Sequence, residues 1–264
     1  MKKGIQPTGL TTRKKLLRAA VKLFLEKGYE GATAKEIADL SGVSTGAPFL
    51  PFGGKEGVLL ALVKLMFNRQ FDTADETAAP FRDPLLVYGV ETSIQMNIVE
   101  LSEPLRELYV TAYTLPSTSK FIYGQMDKRL ERTFASYLPQ LERKDFYELE
   151  IASAGITRSF MVEPCDRYFT MERKLQRYLS CCFKIFEVPP EQYHHIIDQV
   201  LAMDLKTISA RVIEDTIRNI EERLGDITAV SVPELANRET TRDKQGMRTG
   251  EFIPGNRKEQ EGTL

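Results

Sequence analysis

The sequence predicts an all-α fold, and three observations carry that prediction. Apolar residues recur at three- and four-residue steps along most of the chain. Prolines at 84, 104, 116, 139, 164, 189 and 190 punctuate it into segments of helical length. Alternation with period two is confined to a short "ITAVSV" at 227–232. The expected layout is a three-helix amino-terminal domain over residues 1–70, a larger helical domain over 71–226, and a mostly disordered tail over 227–264.

The first helix is expected over residues 11–28, capped by Thr11 or Thr12 and stopped by Gly28. Leu16, Leu17, Ala20, Val21, Phe24 and Leu25 form its buried stripe, with Arg13, Lys14, Lys15, Arg18 and Lys22 on a basic outer face. Thr33 is placed to cap a second, short helix from Ala34 to Leu40, with Ile37, Ala38 and Leu40 facing inward. Gly42 supplies a turn, and Ser44 can cap a third helix. Lys55-Glu56 opens a fourth, whose apolar stripe is Val58, Leu59, Leu62, Val63 and Met66. Two short helices joined by a tight glycine turn beneath a first helix make a helix-turn-helix.

The third helix carries two prolines. Pro48 lies in its first turn and removes at most one intrahelical hydrogen bond. Pro51 lies deeper, removes the bond to the Ala47 carbonyl and crowds it, which in a long helix costs roughly 3 kcal/mol. A distorted or early-ending reading element is expected.

Beyond residue 80, Asp83-Pro84 reads as an N-cap followed by proline in the first turn. The longest segment runs from Pro190 to Gly225. Its apolar residues, from Ile196 and Ile197 through Leu201 and Leu205 to Ile220 and Leu224, keep helical spacing, and Gly225 is a plausible C-cap. One long helix is expected there; residues 166–187 and 190–224 are the candidates for pairing with a second copy. The tail after about residue 233 is polar and charged, too poor in apolar residues to offset its ordering entropy.

Net charge is −1, but residues 1–70 hold twelve Lys and Arg against five Asp and Glu, a balance of +7 that leaves −8 for the rest. A basic amino-terminal segment on an acidic body points to a polyanion partner for that segment. No apolar run approaches the ~18 to 20 residues of a spanning helix, and no apolar stretch follows Lys2 and Lys3 as in a secretory signal. A cytoplasmic protein is expected, with no membrane partner. Three cysteines and two adjacent histidines, His194 and His195, give neither a disulfide framework nor metal-ligand spacing. Cys181-Cys182 read as buried structural thiols. Met96, Met126 and Met161 read as gap-fillers. Glu91, Glu100, Glu103 and Glu107 have no partner arrangement that suggests acid–base catalysis. Nothing groups a nucleophile, base and orienter, so neither an enzyme nor a cofactor is expected.

The run "RAAVKLFLEKGYEGATAKEIADLSGVSTG", followed by Phe49, Phe52 and "KEGVLLAL", resembles the DNA-binding domain of TetR-family transcriptional regulators. The resemblance covers about a quarter of the chain, and the remainder resembles the family in being helical and of suitable length. It implies DNA contacts at Thr33, Ser44, Thr45, Gly46, Ala47, Phe49 and Lys55, with Phe52 anchoring the third helix. Thr45 stands where the family usually has Lys or Arg, Phe49 where it has Tyr, and Pro51 where it has His or Tyr. These changes remove contacts that position the protein on phosphates, so affinity should fall before specificity.

The resemblance further implies a homodimer on a roughly palindromic double-stranded operator, a partly apolar small-molecule effector bound in the body, and repression more often than activation. Gln95, Asn97, Tyr109, Tyr113 and Tyr123, with Tyr88, are candidates to line the effector pocket. The alternative is a protein-interaction regulator that keeps the scaffold with weakened or lost DNA binding.

Overall fold

A computed structural model of the chain describes residues 7–43 and 52–222. Among these residues there are ten α-helices, one short 3-10 turn and no strand. The reading helix expected from Ser44, the 227–232 stretch, Gly225 and the tail lie outside the described residues.

Helix α1 (Pro7–Gly31) begins one turn earlier than expected, so Thr11 and Thr12 lie inside it and do not cap it. Pro7 suits a helix start: its ring presets φ, and its missing N–H would have no partner there. The expected stop at Gly28 takes the form of a break. Lys27 (φ −143°, ψ 16°) and Gly28 (φ 75°, ψ 175°) leave helical geometry before one last turn to Gly31. The positive φ at Gly28 favours glycine, and a side chain there would displace the Glu107 carboxylate.

Helix α2 (Ala34–Ser41) is bounded as its sequence suggests. Thr33 and Glu36 form a reciprocal capping box, and Gly42 closes the helix in the left-handed conformation with its N–H on the Ala38 and Asp39 carbonyls. Ile37 and Ala38 are buried as expected, whereas Leu40 is 48% exposed. Leu40 sits on the wall of an open groove with Ala19, Val21, Leu25, Ile217 and Ile220, and no side chain among the described residues covers it.

Helix α3 (Lys55–Ala78) buries the whole expected stripe of Val58, Leu59, Leu62, Val63 and Met66. It runs unbroken across residue 70, so one rigid element enters both the head and the body. A 3-10 turn (Ala79–Phe81) leads to Asp83, whose carboxylate accepts from Leu85 N–H at 2.8 Å and caps α4 (Pro84–Ile98). Almost every side chain of α4 is buried, because α3, α6, α8, α9 and α10 (ranges follow) pack around it.

The shell continues with α5 (Glu103–Ala112), α6 (Pro116–Phe134), α7 (Arg143–Val162) and α8 (Met171–Ile185). The expected single helix after Pro190 is two: α9 (Pro190–Leu201) and α10 (Leu205–Glu222). The break has a local cause. Asp204 ends the turn after Leu201, and its side chain and carbonyl accept from Thr207 and Ile208 N–H, so it starts a new helix. The four-residue step from Leu201 to Leu205 preserves the apolar rhythm across the break, which hides it from periodicity.

Aromatic packing holds the far end of the body. Tyr88 meets Phe134, Phe183 and Phe186 with ring centres 5.1, 5.7 and 5.9 Å away, and Phe134 stacks on Phe186 at 4.0 Å. Cys182 is buried beside Tyr88 and Tyr178. Burial pushes its thiol up to about 12, a packing residue and not a reactive one. Met96, Met126 and Met161 are buried, while His194 and His195 are exposed. No helix among the described residues is long and apolar enough to cross a membrane.

Candidate nucleic-acid interface

The head is built on α1, with α2 and the start of α3 against it. Leu16, Leu17, Ala20, Phe24, Ile37, Ala38, Val58 and Leu59 are all buried to within 1%. That core leaves Lys15, Arg18 and Lys22 of α1 exposed, with Arg13 and Lys14 half-buried. Phe52 is half-buried, with the Arg13 guanidinium 4.9 Å above its ring.

Two of the seven expected DNA-contacting residues lie among the described ones. Thr33 is exposed at the N-terminus of α2. Its hydroxyl donates to Glu36 Oε2 (2.8 Å) and accepts from Glu36 N–H (3.2 Å), and its own N–H donates to Glu36 Oε2 (2.9 Å). Lys27 donates to the other Glu36 oxygen at 2.6 Å. The Lys27 bond first, then those from Thr33, hold the Glu36 carboxyl down at about 2. Lys55, the first residue of α3, places its ammonium 4.0 Å from the centre of the Tyr29 ring. Partial burial lowers its pKa, opposed by the nearby Glu30 and Glu107 carboxylates. Ser44, Thr45, Gly46, Ala47 and Phe49 lie outside the described residues, as do Pro48 and Pro51.

Among the contacts that tie the head to the rest of the molecule are three hydrogen bonds with no sequence signature. Glu107 of α5 accepts from Glu30 N–H at 2.7 Å, closing on the break in α1. Ser117 at the start of α6 donates to Glu56 of α3. Arg69 of α3 binds Asp215 of α10 at 2.6 Å. Partners separated by 61 to 146 residues leave no local pattern to read.

The expected pocket residues divide. Gln95, Asn97, Tyr109 and Tyr113 are buried, and Tyr123 is half-buried against Tyr147. Tyr113 donates to Gln95 Oε1 at 2.7 Å, Gln70 donates to the Tyr109 hydroxyl, and Asn97 donates to the Ser93 carbonyl at 2.9 Å. Tyr109 borders a space of about 10 Å³, room for a single water at most. The acidic residues that looked isolated also have partners. Glu91 meets Arg129 at 2.7 Å, and Glu100 meets the fully buried Lys174 at 2.8 Å.

Residues 16–62 match the family described as bacterial regulatory proteins, tetR family. The HTH-type transcriptional repressor AcnR of Corynebacterium glutamicum is 43% identical over 73 residues, 28% of this chain and 38% of that protein. AcnR of Corynebacterium efficiens is 39% identical over 67 residues, 25% of this chain and 36% of that protein. The match therefore spans well under half the length of these relatives. The uncharacterized HTH-type transcriptional regulator YuxN of Bacillus subtilis is 34% identical over 202 residues, 75% of this chain and 64% of that one. A solved gamma-butyrolactone receptor (ArpA like protein) overlaps 79% of this chain and 99% of its own at 20% identity and a TM-score of 0.39, too loose an overlap to bear on function. The named relatives are transcriptional regulators, not enzymes. With α2 capped by Thr33 and Glu36, closed by Gly42, and followed by an all-helical body among the described residues, the chain carries an amino-terminal domain of the tetR family of bacterial regulatory proteins.

Proposed function

We propose that the chain is a DNA-binding transcriptional regulator, a cytoplasmic homodimer that reads a roughly palindromic operator and answers to a small, partly apolar effector. The supporting observation is the family match at residues 16–62, whose scaffold residues are buried in the head while Lys15, Arg18 and Lys22 of α1 are exposed. In this reading Thr33 and Lys55 contact the DNA backbone, and Ser44, Thr45, Gly46, Ala47 and Phe49 belong to the reading element. Residues 1–70 act as the reading head, 71–226 as the effector and dimer domain, and 227–264 as a disordered tail. The named repressors among the relatives favour repression.

An effector in the body can reach the head by two routes. Helix α3 carries any tilt of the body directly to Lys55. Glu107 transmits a shift of α5 to the break in α1 through its bond to Glu30. Either route makes effector affinity and DNA affinity reciprocal.

Fluorescence anisotropy on a labelled duplex from upstream of the protein's own gene, set against a scrambled duplex over a salt series, tests this. The expected result is preference for the upstream duplex with affinity falling steeply as salt rises, because bound phosphates release counterions. Lys55→Met should weaken binding on both duplexes and shorten the salt slope by about one. Equal, weak binding to both duplexes would sink DNA reading. It would favour the protein-interaction alternative, which the changes at Thr45, Phe49 and Pro51 support.

A further inference from the structure

A cleft of about 340 Å³ opens between α3, α4 and α6. Its walls include Val87, Tyr88 and Met126, with Pro84 near the mouth; Glu91 lies among them, and Arg82 and Arg132 are exposed. The volume stands at the small end of the range of about 300 to 1,000 Å³ usual for small-molecule sites.

Glu91 makes this cleft more than a gap in packing. Its carboxylate is buried, and Oε2 accepts from Arg129 Nε at 3.0 Å and Nη2 at 2.7 Å. Oε1 is also buried and has no hydrogen-bond partner. An orphaned buried acceptor is uncommon in a folded protein and marks a place where a donor is missing. Arg129 cannot supply it, because its guanidinium is shared between Glu91 and Asp75 and lies 4.4 Å from the Phe71 ring centre. Of the other acids at the cleft, Asp83 caps α4 and Asp75 pairs with Arg129. Among the described residues Arg82 and Arg132 pair with no carboxylate.

We infer that this cleft is the effector site, and that it takes a small organic acid whose carboxylate meets Arg82 and Arg132, whose apolar middle lies along Val87, Tyr88 and Met126, and whose far end carries an O–H or N–H for Glu91 Oε1. The inference rests on the reading of the body as an effector domain and moves the site away from Tyr113, which is bonded to Gln95, and from Tyr109, which is bonded to Gln70 and borders a space of only about 10 Å³.

Three probes separate the groups: 10-hydroxydecanoate, decanoate and 1,10-decanediol, titrated calorimetrically into the full chain without DNA. The hydroxy acid should bind tightest, about tenfold or more above decanoate at pH 8, where Glu91 is ionised, the usual effect of one hydrogen bond to a charged acceptor. Arg82→Ala with Arg132→Ala should weaken both acids and leave the diol unchanged. Both arginines are exposed, so this variant keeps the fold. Glu91→Gln should bring the hydroxy acid down to decanoate, with circular dichroism checking that the helices remain. Equal binding of the two acids, indifference to the arginine pair, or no binding of any probe at millimolar concentration would each overturn the assignment. Operator binding without probe tests the DNA-reading proposal on its own, so the two can fail separately.

Discussion

At the corner between α1 and α2, charged side chains stay in water and bond to near neighbours in sequence. Lys27 and Glu36, 40% and 42% exposed, meet across nine residues, and Glu36 turns back three residues to Thr33. In the body, charges are taken out of water and matched across the fold. Lys174 has no exposed side-chain surface and donates to Glu100, 74 residues away, and to the Glu163 carbonyl at 2.6 Å. Glu91 finds Arg129 across 38 residues. Glu150 is buried with Ser153 donating to it at 2.8 Å, and no cation among the described residues pairs with it. An exposed pair adds little to stability, because water screens it and ordering two long side chains opposes it. A buried one adds little over an apolar substitute, yet breaking it is severe because one charge is left stranded. The head can therefore change its surface charge at small structural cost, while the body is locked to one arrangement of partners.

The sharpest test of that contrast is Glu100→Ala. It strands the Lys174 ammonium with a single carbonyl and takes away the acceptor used by Arg106 and Cys165 N–H. Urea denaturation should show a loss of about 3 kcal/mol or more. Replacing both partners, Glu100→Leu with Lys174→Met, should recover most of it. A loss below about 1 kcal/mol, the range of exposed pairs, would mean that the body treats its charges as the head does.

The two regions should also answer differently to pH. Burial pushes the Glu150 carboxyl up to about 8, against the bond from Ser153 and helped by the charge of Glu91. Burial likewise pushes Glu91 up to about 7, with Arg129 holding it from going further. An acid whose folded pKa is raised binds more protons folded than unfolded. Its stabilisation is complete below the ordinary value of 4.5 and is lost as pH rises through about 7 for Glu91 and about 8 for Glu150. Glu36 has the opposite sign: its contribution is present above 4.5 and is lost only as pH falls through about 2. Between pH 5 and 8 the head should be flat while the body loses stability. Glu150→Gln should flatten the stability curve over that window, by up to about 1.4 kcal/mol per pH unit. An unchanged slope would show that Glu150 is ionised in the folded protein throughout.

This division also explains what could be read in advance. Thr33, Gly42 and Lys55 mark helix ends by rules that act within four residues, and the α3 stripe follows helical spacing, so the described part of the head was legible. The Thr33-x-x-Glu36 signature stood in the sequence too and was missed as a capping box. In the body, the burial of the polar residues of α4 was hidden by distance. Glu91, Thr92, Ser93, Gln95 and Asn97 are polar, yet all are buried, because their surroundings come from helices far along the chain. Ser209 of α10, for instance, donates to the Ile94 carbonyl of α4 across 115 residues. The break at Asp204 was hidden for a different reason, since the apolar rhythm passes over it unchanged.

The smallest effects belong to the head and sharpen the comparison from its own side. Thr33→Ala removes the acceptor for Glu36 N–H and should destabilise the protein by about 1 kcal/mol, the usual value for losing an N-cap. Lys27→Ala should do a fraction of that, because its bond to Glu36 is exposed. The two share Glu36, one on each oxygen, so the double variant need not equal the sum. If Lys27 merely fixes the Glu36 rotamer that the cap uses, its effect should disappear once Thr33 is alanine. A Lys27 effect that equals that of Thr33 and survives in the alanine background would make this surface pair a structural element in its own right. The head would then depend on its charges much as the body does.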